Sequence, residues 1–225
     1  MAGLAQTSSV TGSITLVTAK GSPRKNSDTG IVVWMTPLTR SLSKPGDRAR
    51  SAHPRIVQRN KRFDTRLLAV EVGTTVDFPN DDPFFHNVFS RFDGRQFDLG
   101  LYEAGKTKGV QFNRAGVCYI FCNIHSEMST VVVVVDTPYF VKLNAPGEYR
   151  FTELPAGQYQ LNVWAERCAP ETLKASSRLV TVGSTPTTIP AIVLPESRDR
   201  VVPHANKYGR DYETPVFSSP VYVRP

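Results

Sequence analysis

Gly116-Val117-Cys118-Tyr119-Ile120-Phe121-Cys122-Asn123-Ile124-His125-Ser126-Glu127-Met128-Ser129-Thr130-Val131-Val132-Val133-Val134-Val135 is the stretch on which the reading of this chain turns. Val117 to Cys122 and Thr130 to Val135 are aromatic and β-branched, the composition of strands. The run Val131 to Val135 is too short to cross a bilayer and too β-branched for a comfortable helix, so it reads as a strand buried on both faces. Cys118 and Cys122 share one strand. At about 3.3 Å per residue they stand roughly 13 Å apart, too far for a disulfide.

Working outward, strand-like runs recur between turn signals at Arg66 to Val72, Thr74 to Phe78, Asn87 to Phe89 and Gly109 to Phe112. Upstream, Thr11 to Thr18 and Gly30 to Met35 flank the polar turn Lys20 to Thr29. Downstream come Tyr139 to Leu143, Glu148 to Phe151, Tyr159 to Trp164, Arg178 to Val182 and Ile189 to Leu194. No helix of useful length is expected, so the fold class is all-β.

The 225 residues exceed the usual single-domain size of roughly 100 to 150, so one large or two modest domains are expected. A net charge of +7 favours acidic partners by long-range attraction. Its Lys and Arg gather in Lys20 to Arg62 and Arg198 to Arg210, loop-like stretches without the pattern of a nucleic-acid surface, which argues against that partner. No run of 18 apolar residues reads as a transmembrane segment. Gly3, Ala5 and Gln6 resemble the small-residue end of an export signal, so a periplasmic or otherwise exported location is expected.

Cys122, His125 and Met128 place thiolate, imidazole and thioether at i, i+3 and i+6, where a tight loop after a strand can gather them. His86 lies upstream. Two imidazoles, one thiolate and a weak axial thioether form the ligand signature of a blue-copper electron-transfer site, because soft sulfur suits Cu(I) while imidazole still accepts Cu(II). The chain has only four His and three Met, the first of them the initiator, yet His86, His125 and Met128 fall where such a site needs them. His53 and His204 sit in polar settings and read as solvated.

The Cys122-x-x-His125-x-x-Met128 spacing, with Val72-Gly73-Thr74-Thr75-Val76-Asp77-Phe78-Pro79-Asn80, His86-Asn87-Val88 and Ala115-Gly116, resembles the cupredoxins, and among them the amicyanin-like members. That resemblance covers about 56–136. It implies a Greek-key sandwich or barrel over 56–137 holding one copper ion, with His86, Cys122 and His125 equatorial and Met128 axial. It further implies that the amide of Asn87 pins the cysteine loop to the histidine loop, that Phe84 and Phe85 shield the metal, and that electrons pass through the ring edge of His125. Pro83 and Ile124 would then help form an apolar docking rim. Cys118 reads as a small buried hydrophobe.

Tyr149-Arg150-Phe151-Thr152-Glu153-Leu154-Pro155-Ala156-Gly157-Gln158-Tyr159-Gln160-Leu161 resembles the carboxypeptidase regulatory-like, transthyretin-like β-sandwich. Its opening strands are best matched by Gly12 to Thr18 and Ile31 to Pro37. The expected layout is a discontinuous outer domain, 9–40 plus 138–195, interrupted by the copper module; the alternative is two hairpins in separate small units. A basic linker, 41–55, and an extended or disordered tail, 196–225, complete the chain.

The leading functional expectation is an electron carrier that is not an enzyme, serving a redox partner protein. Copper storage or delivery would use the same ligands. A zinc-stabilised module is disfavoured because zinc seldom takes a thioether. An oxidase or nitrite reductase would need a second metal site, for which the remaining histidines do not suffice.

Overall fold

A computed structural model describes residues 7–18, 20–23, 30–39, 53–91, 95–197 and 205–212, and they are almost entirely β. His204 and most of the basic stretch 41–55 lie outside the described residues.

One sheet runs in the order β5 (Leu67–Glu71), β11 (Ser129–Val135), β10 (Gly116–Cys122), β7 (His86–Ser90) and β8 (Phe97–Tyr102), where β5 pairs parallel to β11 and the other neighbours are antiparallel. Its inner face shares a core with β6 (Thr75–Pro79), which pairs antiparallel with β9 (Thr107–Gln111). Val76, Phe78, Phe112, Ile120, Cys122, Met128 and Val132 all lie in this core. A hairpin of β3 (Gln58–Arg59) and β4 (Arg62–Phe63) closes one side, contributing Phe63. Asn60 and Lys61 have φ of 55° and 56°, the positive values that a two-residue type I′ connection demands.

A second pair of sheets uses strands from both ends of the described chain. β1 (Thr7–Val17) pairs with β13 (Gly147–Pro155), β16 (Thr187–Thr188) and β17 (Ile192–Pro195). β2 (Ile31–Pro37) lies between β12 (Phe140–Leu143) and β14 (Gly157–Ala165), and β15 (Arg178–Val182) extends that sheet. Between the two sheets Ile14, Leu16, Met35, Phe151, Leu161 and Leu194 form a separate core. The six-residue helix α1 (Pro170–Ala175), absent from the sequence reading, begins with Pro at a position where a missing N–H is harmless.

The valine run joins the two halves. Val132 and Val134 point into the core that holds Cys122, whereas Val131, Val133 and Val135 point away from it. These outward valines and Leu67 pack against Val32 and Trp164 of the second sandwich, with Trp34 and Phe140 alongside. Burial on both faces of β11, expected from its composition, comes from a different core on each side. Gly30, just before β2, has no side chain where a Cβ would collide with Leu67, so the sandwiches meet closely there.

Strand β8 escaped the sequence reading because Asp98 and Gly100 interrupt its pattern. Gly100 takes a φ of 65°, and the register with β7 shifts between Asn87 and Phe89, which marks a bulge. Asp98 stabilises that bulge by accepting the Gly100 N–H at 2.8 Å.

Candidate metal centre

His86 opens β7, and the loop before it is shaped by Asn80. The wholly buried Asn80 amide donates to the carbonyl oxygens of Phe84 (2.8 Å) and Tyr102 (3.2 Å), while its Oδ1 accepts the Asp82 N–H (3.1 Å). Cys122 ends β10, and the chain turns back at once. The Cys122 N–H reaches the Met128 carbonyl at 3.1 Å, and the Met128 N–H reaches the His125 carbonyl at 3.0 Å. The seven-residue loop 122–128 is thereby closed on itself.

The two loops converge. The Cys122 Sγ lies 3.6 Å from His86 Nδ1 and 3.7 Å from His125 Nδ1, and one donor atom from each residue falls within 4.8 Å of the others. Ligand bonds of about 2.0 to 2.3 Å let three atoms at such separations share one ion. His86, Cys122 and Met128 are buried, whereas His125 is partly exposed. Both imidazoles present the same nitrogen to the same thiol, so the donor set fits a single soft or borderline cation. Met128 belongs to the core that contains Cys122.

The surroundings prepare these groups for a cation. Burial alone would push the Cys122 thiol up, but the His86 imidazole and the N–H groups of Asn87, Ile124 and His125 outweigh it and lower its pKa. For His86, burial favours the neutral ring, yet hydrogen bonds that the ring donates to Cys122 and Asp82 raise its pKa overall. His125 goes the other way: burial and the positive charges of His86 and Lys61 hold its pKa below the ordinary value.

Asp82 is the residue that the sequence reading missed. Its Oδ2 sits 2.8 Å from His86 Nε2, on the side of the ring opposite the thiol. The same carboxylate accepts the N–H groups of Asn60 (2.6 Å) and Lys61 (2.9 Å), so the β3–β4 turn holds it in place. A carboxylate behind an imidazole fixes its tautomer and orientation, which commits Nδ1 to the thiol side. The i, i+4 spacing of Asp82 and His86 was the available signal; its turn partners could not be read from local pattern.

The aromatic pair divides. The Phe84 ring packs 5.2 Å from His86 and 5.8 Å from His125, as a shield would, and Lys61 Nζ sits 5.6 Å from its centroid. Phe85 is 56% exposed, and Ile124 at 46% and Pro83 are exposed as well, so these side chains are surface on the segments that carry the ligands. The Asn87 side chain also differs from expectation. Its Nδ2 donates to Asp98 Oδ1 at 2.6 Å, and it is the Asn87 main-chain N–H that meets Cys122. The link between the loops survives, carried by backbone.

Cys118 is fully buried, and its Sγ lies 3.2 Å both from Ser90 Oγ and from the Arg95 carbonyl. His53 stands apart from the centre, 3.3 Å from Asp77. Within 196–225, expected to be extended or disordered, the described residues 205–212 form a turn seated on the ligand loop.

No family model and no curated protein matches the chain. Among solved structures it is similar to a reduced amicyanin variant, at 24% identity over 39% of this chain and 88% of that one, with a TM-score of 0.35. It is similar to a purple cupredoxin from Nitrosopumilus maritimus, at 24% identity over 36% of this chain and 99% of that one, with a TM-score of 0.34. It is also similar to the copper-containing nitrite reductase of Thermus scotoductus, at 23% identity over 38% of this chain, with a TM-score of 0.37. The match spans about a quarter, 23%, of the reductase's length. Each match covers well under half of this chain.

Proposed function

We propose that this protein holds one copper ion on His86, Cys122 and His125, with Met128 as a weak axial ligand, and passes single electrons between redox partners. The observation that carries the reading is the approach of two imidazole Nδ1 atoms to one buried thiol, at 3.6 and 3.7 Å. Bound copper would supply a one-electron couple. The chain's own residues supply the rest: Asp82 orients His86, backbone N–H groups favour the thiolate, and Phe84 packs against both imidazoles.

The partly exposed ring of His125, with Ile124, Phe85 and Pro83 beside it, would meet the redox partner, and the net charge favours an acidic one. A carrier is favoured over an oxidase because His53, the remaining described histidine, pairs with Asp77 away from the centre. The second sandwich, which resembles the transthyretin-like fold in its Leu154-Pro155 to Tyr159 turn, is assigned a supporting role. An exported location belongs to the same reading, and among the described residues no helix is long and apolar enough to cross a membrane.

Addition of Cu(II) to the metal-free protein should give an intense visible thiolate-to-copper band and an axial paramagnetic spectrum, both lost in Cys122→Ser. A reversible one-electron wave should accompany them. A colourless protein that releases copper readily would replace the carrier by a storage or delivery role.

A further inference from the structure

The segment 205–212 lies on the ligand loop. It is a self-contained turn: Asn206 Oδ1 accepts the N–H groups of Tyr208 (3.0 Å) and Arg210 (3.1 Å), and its main chain bonds to Gly209 and Arg210. Gly209 supplies the positive φ of 77° that the turn requires. From this turn two groups reach the loop directly. The Tyr212 hydroxyl donates to the Cys122 carbonyl at 2.8 Å, and the Lys207 N–H donates to Asn123 Oδ1 at 2.8 Å.

A third contact reaches the other ligand segment. Lys207 Nζ sits 2.9 Å from Asp98 Oδ2, and Asp98 Oδ1 accepts the side-chain amide of Asn87 at 2.6 Å. Asn87 follows His86 and gives its own N–H to the Cys122 thiol. One short turn is therefore bonded to the residue pair Cys122-Asn123 and, through Asp98, to the pair His86-Asn87. At Cys122 the chain leaves strand β10, and Tyr212 satisfies that carbonyl as a strand neighbour would.

We infer that residues 205–212 are a strap that positions the copper ligands, with Tyr212 and Lys207 as positioning residues that hold the 122–128 loop against the His86 segment. The inference rests on the copper reading for its purpose, though the clamping of the loop is a property of the chain alone. A preformed loop keeps the ligands near one geometry in both oxidation states and slows the opening through which the ion would leave.

The test uses full-length protein: Tyr212→Phe, Lys207→Ala, the two combined, and Asn123→Ala to remove the acceptor from the loop side. Leu179→Ala serves as control, since that side chain is 61% exposed on β15 of the second sandwich. In metal-free protein, hydrogen exchange at the Cys122 and Met128 amides should be about tenfold faster in the double variant, with strand interiors and the control unchanged. In copper-loaded protein the double variant should release copper to a chelator about tenfold faster and shift its visible band. Loop exchange within twofold of wild type in both the double variant and Asn123→Ala overturns the strap. Faster exchange with unchanged release and unchanged band overturns the positioning role. Absence of a band in wild type with Cu(II) defeats the copper reading instead, and leaves the exchange result to judge the clamp.

Discussion

Replacing Asp82 by Asn tests whether the centre is held from behind. The buried carboxylate, 4% exposed, serves three donors: the Asn60 N–H, the Lys61 N–H and His86 Nε2, all within 2.9 Å. Asparagine keeps the shape, removes the charge and turns one acceptor into an NH2 group. At least one donor must then face another donor. A hydrogen bond to a charged group is worth about 1.5 to 3 kcal/mol. Loss of such an orienting partner typically lowers metal affinity about 10- to 100-fold, which is about 1.4 to 2.7 kcal/mol. The two estimates overlap, so a loss near 2 kcal/mol is expected in copper affinity by chelator competition, and a similar loss in metal-free stability by urea unfolding. The pH dependence gives a second check. Hydrogen bonds accepted from the Lys61 N–H, the His86 ring and the Asn60 N–H overcome the upward push of burial and lower the Asp82 pKa. Its contribution is therefore complete above the unfolded carboxylate value, about 3.9, and disappears as pH falls through the lower folded value. The stability gap between wild type and Asp82→Asn should close over that acidic window. Copper affinity within threefold of wild type, with an unchanged spectrum, would refute the supporting role of the β3–β4 turn.

Three further outcomes follow from the same contacts. Trp164→Ala, which opens the layer against Val131 and Val133, should lower global stability by about 3 to 5 kcal/mol while the copper spectrum persists; denaturant unfolding with spectral monitoring checks both. Because the His86 pKa is raised in the metal-free protein, copper uptake below that pKa must displace a proton, so apparent affinity should fall as pH is lowered through it; titrations at several pH values read the slope. Ile124→Glu, at an exposed position beside His125, should leave the spectrum in place and slow electron exchange with an acidic redox partner, as stopped-flow mixing would show.

What the sequence displayed depended on whether a residue's role was local. The ligand loop was legible because soft and imidazole donors fell at a spacing that one tight turn can gather. Strand β11 was legible because a run of valines has few other homes. Asp82 was not, since its meaning lies in the N–H groups of Asn60 and Lys61, 22 and 21 residues away in a basic stretch that reads as loop. The strap was harder still: Lys207 and Asn123 are separated by 84 residues, and a segment with no apolar period gives no sign that its backbone will bond elsewhere. Phe84 and Phe85 show the same limit at short range. Composition cannot tell which of two adjacent rings turns inward when the chain is bent by a buried Asn80.

The alternation along β11 also explains why the sandwich that bears the ligand loop is packed against a second one. A sheet that packs Val132 and Val134 inward could have ended in water on its other face, as antiparallel sheets commonly do. Here Val131, Val133, Val135 and Leu67 make that outer face apolar, and it is covered by Val32 and Trp164. Burying side chains of this kind stabilises by about 1.5 to 3 kcal/mol each, so the covering is a substantial part of what holds β11 and β5 in place. Strand β11 pairs in turn with β10, which ends at Cys122, and leads directly out of the loop that carries His125 and Met128. Rigidity at the centre is therefore supplied from two sources: by Asp82 and the 205–212 turn, bonded to the ligand segments themselves, and, through β11, by a second sandwich that among the described residues contributes none of the candidate ligands.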